Sequence, residues 1–75
     1  SDDNGASTME VTVTVGADRV TVYLDIEPDD ENPSAVLSAR DAGDDVLAEV
    51  RVPPSFKLNR SSAVAWAEGG FAKPK

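Results

Sequence analysis

The chain has 75 residues, enough for one small domain and too few for a second independent core. Its 14 Asp and Glu oppose 7 Lys and Arg, and 40% of the residues are hydrophobic, so the chain is acidic yet apolar enough to fold. It contains no Cys and no His. This excludes disulfides, thiolate or imidazole metal sites, and catalytic arrangements that need either residue.

The first eight residues, SDDNGAST, are polar and acidic and precede Met9. We interpret residues 1–8 as a flexible acidic arm or as an artificial leader, residues 9–71 as a single β domain, and residues 72–75 as a frayed tail. No apolar run is long enough for a membrane helix, so we predict no membrane partner. A cysteine-free composition is compatible with any compartment, and the localisation stays open.

The clearest predicted element is a β-hairpin in the first third of the chain. Residues 10–15 and 20–26 alternate apolar with polar side chains, which is the period of a strand with one buried face. The linker between them is short. Pairing Val13 with Val20 or with Val22 keeps the apolar side chains of both strands on one face.

The middle of the chain allows two interpretations. Residues 27–33 form an acidic loop with two prolines, which cannot donate to a strand ladder. Asn32 as N-cap, Pro33 as first residue and Gly43 as terminator would suit a helix over 33–42. Alternating apolar residues favour a strand instead: Ala35, Leu37 and Ala39. We prefer the strand, because two serines in this segment compete with the helix backbone.

A second hairpin follows from the strand interpretation. Residues 41–44 are predicted to turn the chain, after which alternate residues return along the same face. Those residues are Val46, Ala48, Val50 and Val52. The two prolines at 53–54 then end the strand.

The last third is predicted to add further short strands. Residues 56–58 alternate, residues 59–62 are typical of a turn, and Val64 and Trp66 alternate with alanines up to the glycines at 69–70. The predicted fold is therefore all-β, a small antiparallel barrel or reduced sandwich of five or six strands built from hairpins. Bulky core residues would come from this third: Phe56, Leu58 and Trp66. The alternative is an α+β fold, ββαββ, with the helix at 33–42.

Charge is divided unevenly along the chain. Residues 1–50 hold 13 acids and 2 bases, whereas residues 51–75 hold 5 bases and 1 acid. Bases interleaved with aromatic rings are typical of single-strand nucleic-acid platforms. The candidate interaction residues are Arg51, Lys57, Arg60, Trp66 and Tyr23. We favour the other interpretation, in which the rings belong to the core, because the acidic majority would repel a polyanion.

Two acidic loops carry oxygen ligands of the type that Ca²⁺ takes. They contain Asp29, Asp30 and Glu31 in the first loop and Asp41, Asp44 and Asp45 in the second. Neither loop has EF-hand spacing, and aspartates also stabilise turns through hydrogen bonds to the backbone. We therefore predict no metal and no cofactor. No residue set indicates catalysis, and we predict that the protein is not an enzyme.

The sequence favours a non-catalytic protein-binding or assembly module that acts through a sheet edge or an exposed face. Its partner would be another protein or a second copy of the chain. One alternative is a nucleic-acid module that uses residues 51–75. Another is an acidic inhibitor that imitates DNA and occupies a DNA-binding protein.

Overall fold

The computed structural model describes residues 7–27, 31 and 33–73, and within them four strands are followed by one helix. The elements are β1 (Ser7–Val15), β2 (Asp18–Glu27), β3 (Ser34–Asp41), β4 (Val46–Val52) and α1 (Arg60–Glu68). The strands form one antiparallel sheet in the order β1-β2-β3-β4. Since β1 and β4 lie at opposite margins, the sheet is open.

The mainly-β prediction is confirmed, but the predicted barrel or sandwich of five or six strands is wrong. A sheet of four strands leaves one face to be covered by something else, and a helix at 60–68 helps to cover it. The alternative with a helix at 33–42 is also wrong, because residues 34–41 form β3.

The first hairpin has one of the two predicted registers, with Val13 opposite Val20. Only residues 16–17 separate the strands, and Gly16 has a φ of 64°. A positive φ at the first position of a two-residue turn is type II′ geometry, which matches the twist of the flanking strands. Glycine adopts this φ without steric cost.

The prediction of a strand at β3 is confirmed by its burial pattern. Ala35, Leu37 and Ala39 are buried on one face, and Leu37 lies opposite Leu24 of β2. The proposed helix N-cap, Asn32, lies outside the described residues. Pairing with a strand on each side outweighs the helix signals near Pro33, because it buries one entire face of the segment.

The predicted turn at 41–44 is confirmed. The carboxylate of Asp41 accepts hydrogen bonds from the backbone N–H groups of Gly43 and Asp45, at 2.8 and 3.0 Å. Asp44 has a φ of 68°, as does the left-handed residue that follows a type I turn in a three-residue hairpin loop. Asp41 therefore has the structural role expected of a turn aspartate.

A β-bulge at the start of β4 changes the predicted inward face. Ala39 pairs with Ala48 but Arg40 pairs with Val46, so Leu47 is an extra residue without a partner on β3. The bulge moves Val46 to the face opposite the core, where it is 54% exposed. The prediction that Val46 faces inward is therefore wrong.

The predicted last strand is instead the helix α1, and its ends explain why. The side chain of Asn59 accepts from the Ser62 backbone N–H, while the Ser62 hydroxyl accepts from the Asn59 N–H, both at 2.9 Å. This reciprocal pair is a capping box. At the other end Gly70, with φ 79°, donates to Ala67, and Phe71 donates to Trp66. This pair of bonds is a Schellman motif.

Replacing Asn59 by Ala is expected to lower the free energy of unfolding by about 1 kcal/mol, because the first turn loses its side-chain acceptor. Asn59→Ser keeps an acceptor and should cost only a few tenths of that. Urea denaturation followed by circular dichroism measures both variants. Equal losses would show that the cap does not stabilise α1.

The core lies between α1 and one face of the sheet, here called the covered face. Its buried side chains are Val13, Val20, Val22, Leu24, Ala35, Leu37, Ala39, Val52, Leu58, Ala63, Trp66 and Ala67. The expected contributions of Leu58 and Trp66 are confirmed, whereas Phe56 is half-buried. Within the sheet α1 packs mainly against β1, so the β4 side of the covered face is less well covered.

Most of the predicted arm and half of the predicted tail lie outside the described residues. Residues 1–6 and 74–75 are not described, nor are residues 28–30 of the acidic loop. Strand β1 begins at Ser7, so it includes the last two residues of the proposed arm.

Candidate interaction surfaces

The five residues predicted to form an interaction surface do not lie together. Tyr23 and Arg51 belong to the face of the sheet turned away from α1, here called the open face. Lys57 and Arg60 are exposed in the segment before α1 and in its first turn. Trp66 is only 6% exposed and belongs to the core. The five residues thus occupy two sides of the protein and its interior.

The open face consists of cross-strand rows. One row is Glu10, Tyr23, Ser38 and Glu49, and a second is Thr12, Thr21, Arg40 and Val46. The hydroxyls of Thr12 and Thr21 are 3.2 Å apart, and the Thr8 hydroxyl donates to the Asp25 carboxylate at 2.8 Å. Such pairs stabilise a sheet by about 0.2–1 kcal/mol each. The open face is therefore ordered, polar and of mixed charge.

The two edge strands of the sheet differ in how readily they can pair with an additional strand. Strand β4 has the bulge at Leu47 and is followed by Pro53, both of which oppose the addition of a strand. Strand β1 has nine residues paired with β2 without a bulge, and Glu10 is its only charged residue. Long, regular edges of this kind template the pairing of another segment.

The register identifies the backbone groups that β1 offers. A two-residue turn closes with hydrogen bonds between the residues that flank it, here Val15 and Asp18, and bonded pairs then alternate along the ladder. The odd-numbered residues of β1 consequently bond to β2. The even-numbered residues direct their N–H and C=O groups away from the sheet: Thr8, Glu10, Thr12 and Thr14. All four are exposed.

A crevice of about 210 Å³ lies beside this edge, between β1 and the first half of α1. It is lined by Thr12, Val13, Thr14, Arg60 and Val64. The structure thus brings the predicted residue Arg60 to the edge of β1. Sequence reasoning did not connect the two, because it placed residues 59–62 in a turn between strands.

The described residues do not form a cluster of metal ligands. They contain no group of three or more ligating side chains placed to hold a metal ion, and Asp29 and Asp30 of the first acidic loop lie outside them. No helix in the described ranges has the length and apolar character that crossing a membrane requires.

Comparison of the chain with protein-family models, curated proteins and solved structures gives no match.

Proposed function

We propose that the protein is a non-catalytic binding module that captures an extended segment of a partner protein along the edge of β1. The proposal is carried by one observation: β1 is a regular edge strand of nine residues with four exposed residues whose backbone groups point outward. A peptide strand can satisfy these groups and extend the sheet, which is the β-augmentation mode of recognition.

Charge favours a basic partner over a second copy. The chain has a net charge of −7, and Glu10 and Asp25 lie on the open face beside the edge. Two copies brought edge to edge would repel each other, whereas a segment that carries Lys or Arg is attracted and aligned. The crevice between Val64 and Thr14 would receive a side chain from the covered-face side of the added strand.

The nucleic-acid alternative has less support in this geometry. Stacking on bases needs an exposed ring. Trp66 is buried, and the basic side chains of Arg51, Lys57 and Arg60 do not lie on one face of the protein. The DNA-mimic alternative would be a protein-binding function as well. It would use the carboxylates of the acidic chain, of which Asp29 and Asp30 lie outside the described residues.

The test uses a peptide selected from a phage-displayed random library against the immobilised protein, with hydrogen exchange measured by NMR. Edge pairing should slow exchange at the amides of Thr8, Glu10, Thr12 and Thr14, while odd-numbered amides, already bonded to β2, change little. Thr12→Pro should weaken binding about tenfold, since it removes an outward N–H and projects a ring toward the added strand.

Val11→Pro is the matched control for this substitution. Its N–H bonds to β2 rather than outward, so we expect destabilisation by about 1–3 kcal/mol, whereas Thr12→Pro at the edge should be tolerated. Peptide binding that leaves the even-numbered amides unprotected would contradict the proposal. If sedimentation shows concentration-dependent dimerisation and Thr12→Pro abolishes it, the edge of β1 binds a second copy of the chain rather than a basic partner. Binding of oligo(dT) to the basic side chains of Arg51, Lys57 and Arg60 would favour the nucleic-acid alternative.

A further inference from the structure

A second surface lies at the end of the protein where both hairpin turns meet the C-terminal end of α1. An open groove of about 740 Å³ is found there, between the β1–β2 turn, the β3–β4 turn and the residues that follow the helix. Its apolar walls are Val15, Val20, Leu47, Ala67 and Phe71. The groove lies on the covered face, at the end of β1 rather than along its edge.

The β-bulge creates one wall of this groove. In regular pairing, residues 46 and 48 would share the covered face and Leu47 would lie on the open face. The extra residue reverses the positions before Ala48, so that Leu47 lines the groove and Val46 lies on the open face. Leu47 is 44% exposed there. A leucine exposed to this degree in a concave wall remains available for contact with a partner.

The helix end fixes the opposite wall. Phe71 has a φ of 62°, a left-handed conformation that is costly for a bulky residue. It is held there by the hydrogen bond from its N–H to the Trp66 carbonyl, 2.9 Å long. The two rings also pack edge to face, with centroids 5.0 Å apart. Phe71 is only half-buried, and the exposed part of its ring lines the groove.

The rim of the groove is acidic. Asp18 and Asp41 line it, and Asp44 and Asp45 follow in the same turn, against the bases Arg19 and Arg40. Arg40 contacts the Asp44 carboxylate at 3.5 Å, and among the residues that line the groove Asp18 and Asp41 outnumber the single basic residue, Arg19. A cationic group on a ligand would therefore be attracted to this rim.

We propose that this groove binds a short protein segment that presents one large apolar side chain next to a Lys or Arg. The apolar side chain would lie between Leu47 and Phe71, and the base would face the carboxylates of the two turns. This surface is separate from the β1 edge, and the two proposals stand or fall independently.

The test titrates three synthetic heptapeptides into the ¹⁵N-labelled protein. One has a central Leu flanked by Lys, the second replaces the Leu by Ser, and the third replaces the Lys residues by Glu. Only the first is expected to give saturable shifts, centred on the amides of Arg19, Gly43, Leu47 and Phe71. Its affinity should fall as salt rises, because salt screens the rim charges.

The bulge provides a matched pair of variants. Val46 and Leu47 are adjacent and both exposed, but only Leu47 lines the groove. Leu47→Ser should weaken binding about tenfold or more, as truncation of an apolar anchor residue does, and Val46→Ser should leave it unchanged. Circular dichroism is used to check that both variants fold.

Several results would overturn the proposal. They are the absence of saturable shifts with the Lys-flanked Leu peptide, equal binding of the Glu-flanked peptide, and equal losses for the two serine variants. Shifts confined to the even-numbered residues of β1 would also overturn it while supporting the edge, so failure of the groove is distinguishable from failure of the proposed function.

Discussion

Trp66→Ala is expected to remove most of the stability of the protein. Trp66 is the largest buried side chain of α1, and it packs against Phe71 at the helix end. Truncation of a buried Trp costs about 3–5 kcal/mol. Small domains have total stabilities near the lower end of about 5–15 kcal/mol, so the variant should be partly unfolded at 25 °C. Far-ultraviolet circular dichroism in a urea series measures the loss, since this variant has no tryptophan fluorescence.

Trp66→Phe is the control that separates ring volume from the indole N–H. The Nε1 atom of Trp66 is buried without a hydrogen-bond partner among the described residues. A buried donor without a partner costs about 1–3 kcal/mol, and phenylalanine has no such donor. We therefore expect the Phe variant to lose much less stability than the Ala variant. Equal losses of stability in the Phe and Ala variants would show that the volume of the indole matters more for stability than its unpaired N–H.

Leu37→Ala should have the second large effect, a loss of about 2–5 kcal/mol. Leu37 is only 1% exposed and lies between Leu24 of β2 and Val50 of β4. Leu47→Ala is the same chemical change at a position that is 44% exposed, and it should shift stability by no more than about 0.5 kcal/mol. Urea midpoints of the two variants measure the contrast.

This pair also tests the register of β3 and β4. Similar losses at positions 37 and 47 would contradict the burial difference that the bulge produces. A large loss at 47 alone would place Leu47 in the core and thereby remove the apolar wall of the groove.

The first hairpin could be predicted because its signal is both local and redundant. Residues 10–15 and 20–26 alternate strictly, and the glycine at 16 suits a turn of positive φ. Shifting either strand by one residue would expose its valines, so few registers compete. The secondary structure of β3 is harder to predict, because its flanking Asn, Pro and Gly also suit a helix. Only pairing with β2 and β4 on its two sides selects the strand.

The helix α1 was missed because alternation is ambiguous in an alanine-rich segment. Val64 and Trp66 fit a period of two only if the alanines around them count as polar, and alanine is the best helix former. The better signal was at the ends: Asn59 with Ser62 three residues later, and the glycines at 69–70. The same residues also suit a turn at 59–62 and the end of a strand at 69–70, which is why the pattern by itself does not select the helix.

The candidate surfaces were only partly accessible to prediction. The positions of Thr12 and Thr21 on the open face follow from the hairpin alone. The bulge that exchanges Val46 and Leu47 depends on where β4 meets β3 after a three-residue loop, and nothing in the residue pattern of β4 marks it. The position of Arg60 beside Thr12 likewise depends on where α1 packs.

The sequence by itself determined which faces of β1, β2 and β3 turn inward, because their apolar side chains alternate with polar ones and only one register buries them together. It also set the net charge of −7 and, through the lack of Cys and His, the chemistry the protein cannot perform. Tertiary structure decided that the sheet stays open, that the helix α1 packs on one of its faces and that Leu47 is exposed in a groove. These outcomes depend on contacts between segments distant in the chain, whose free energies no local pattern contains.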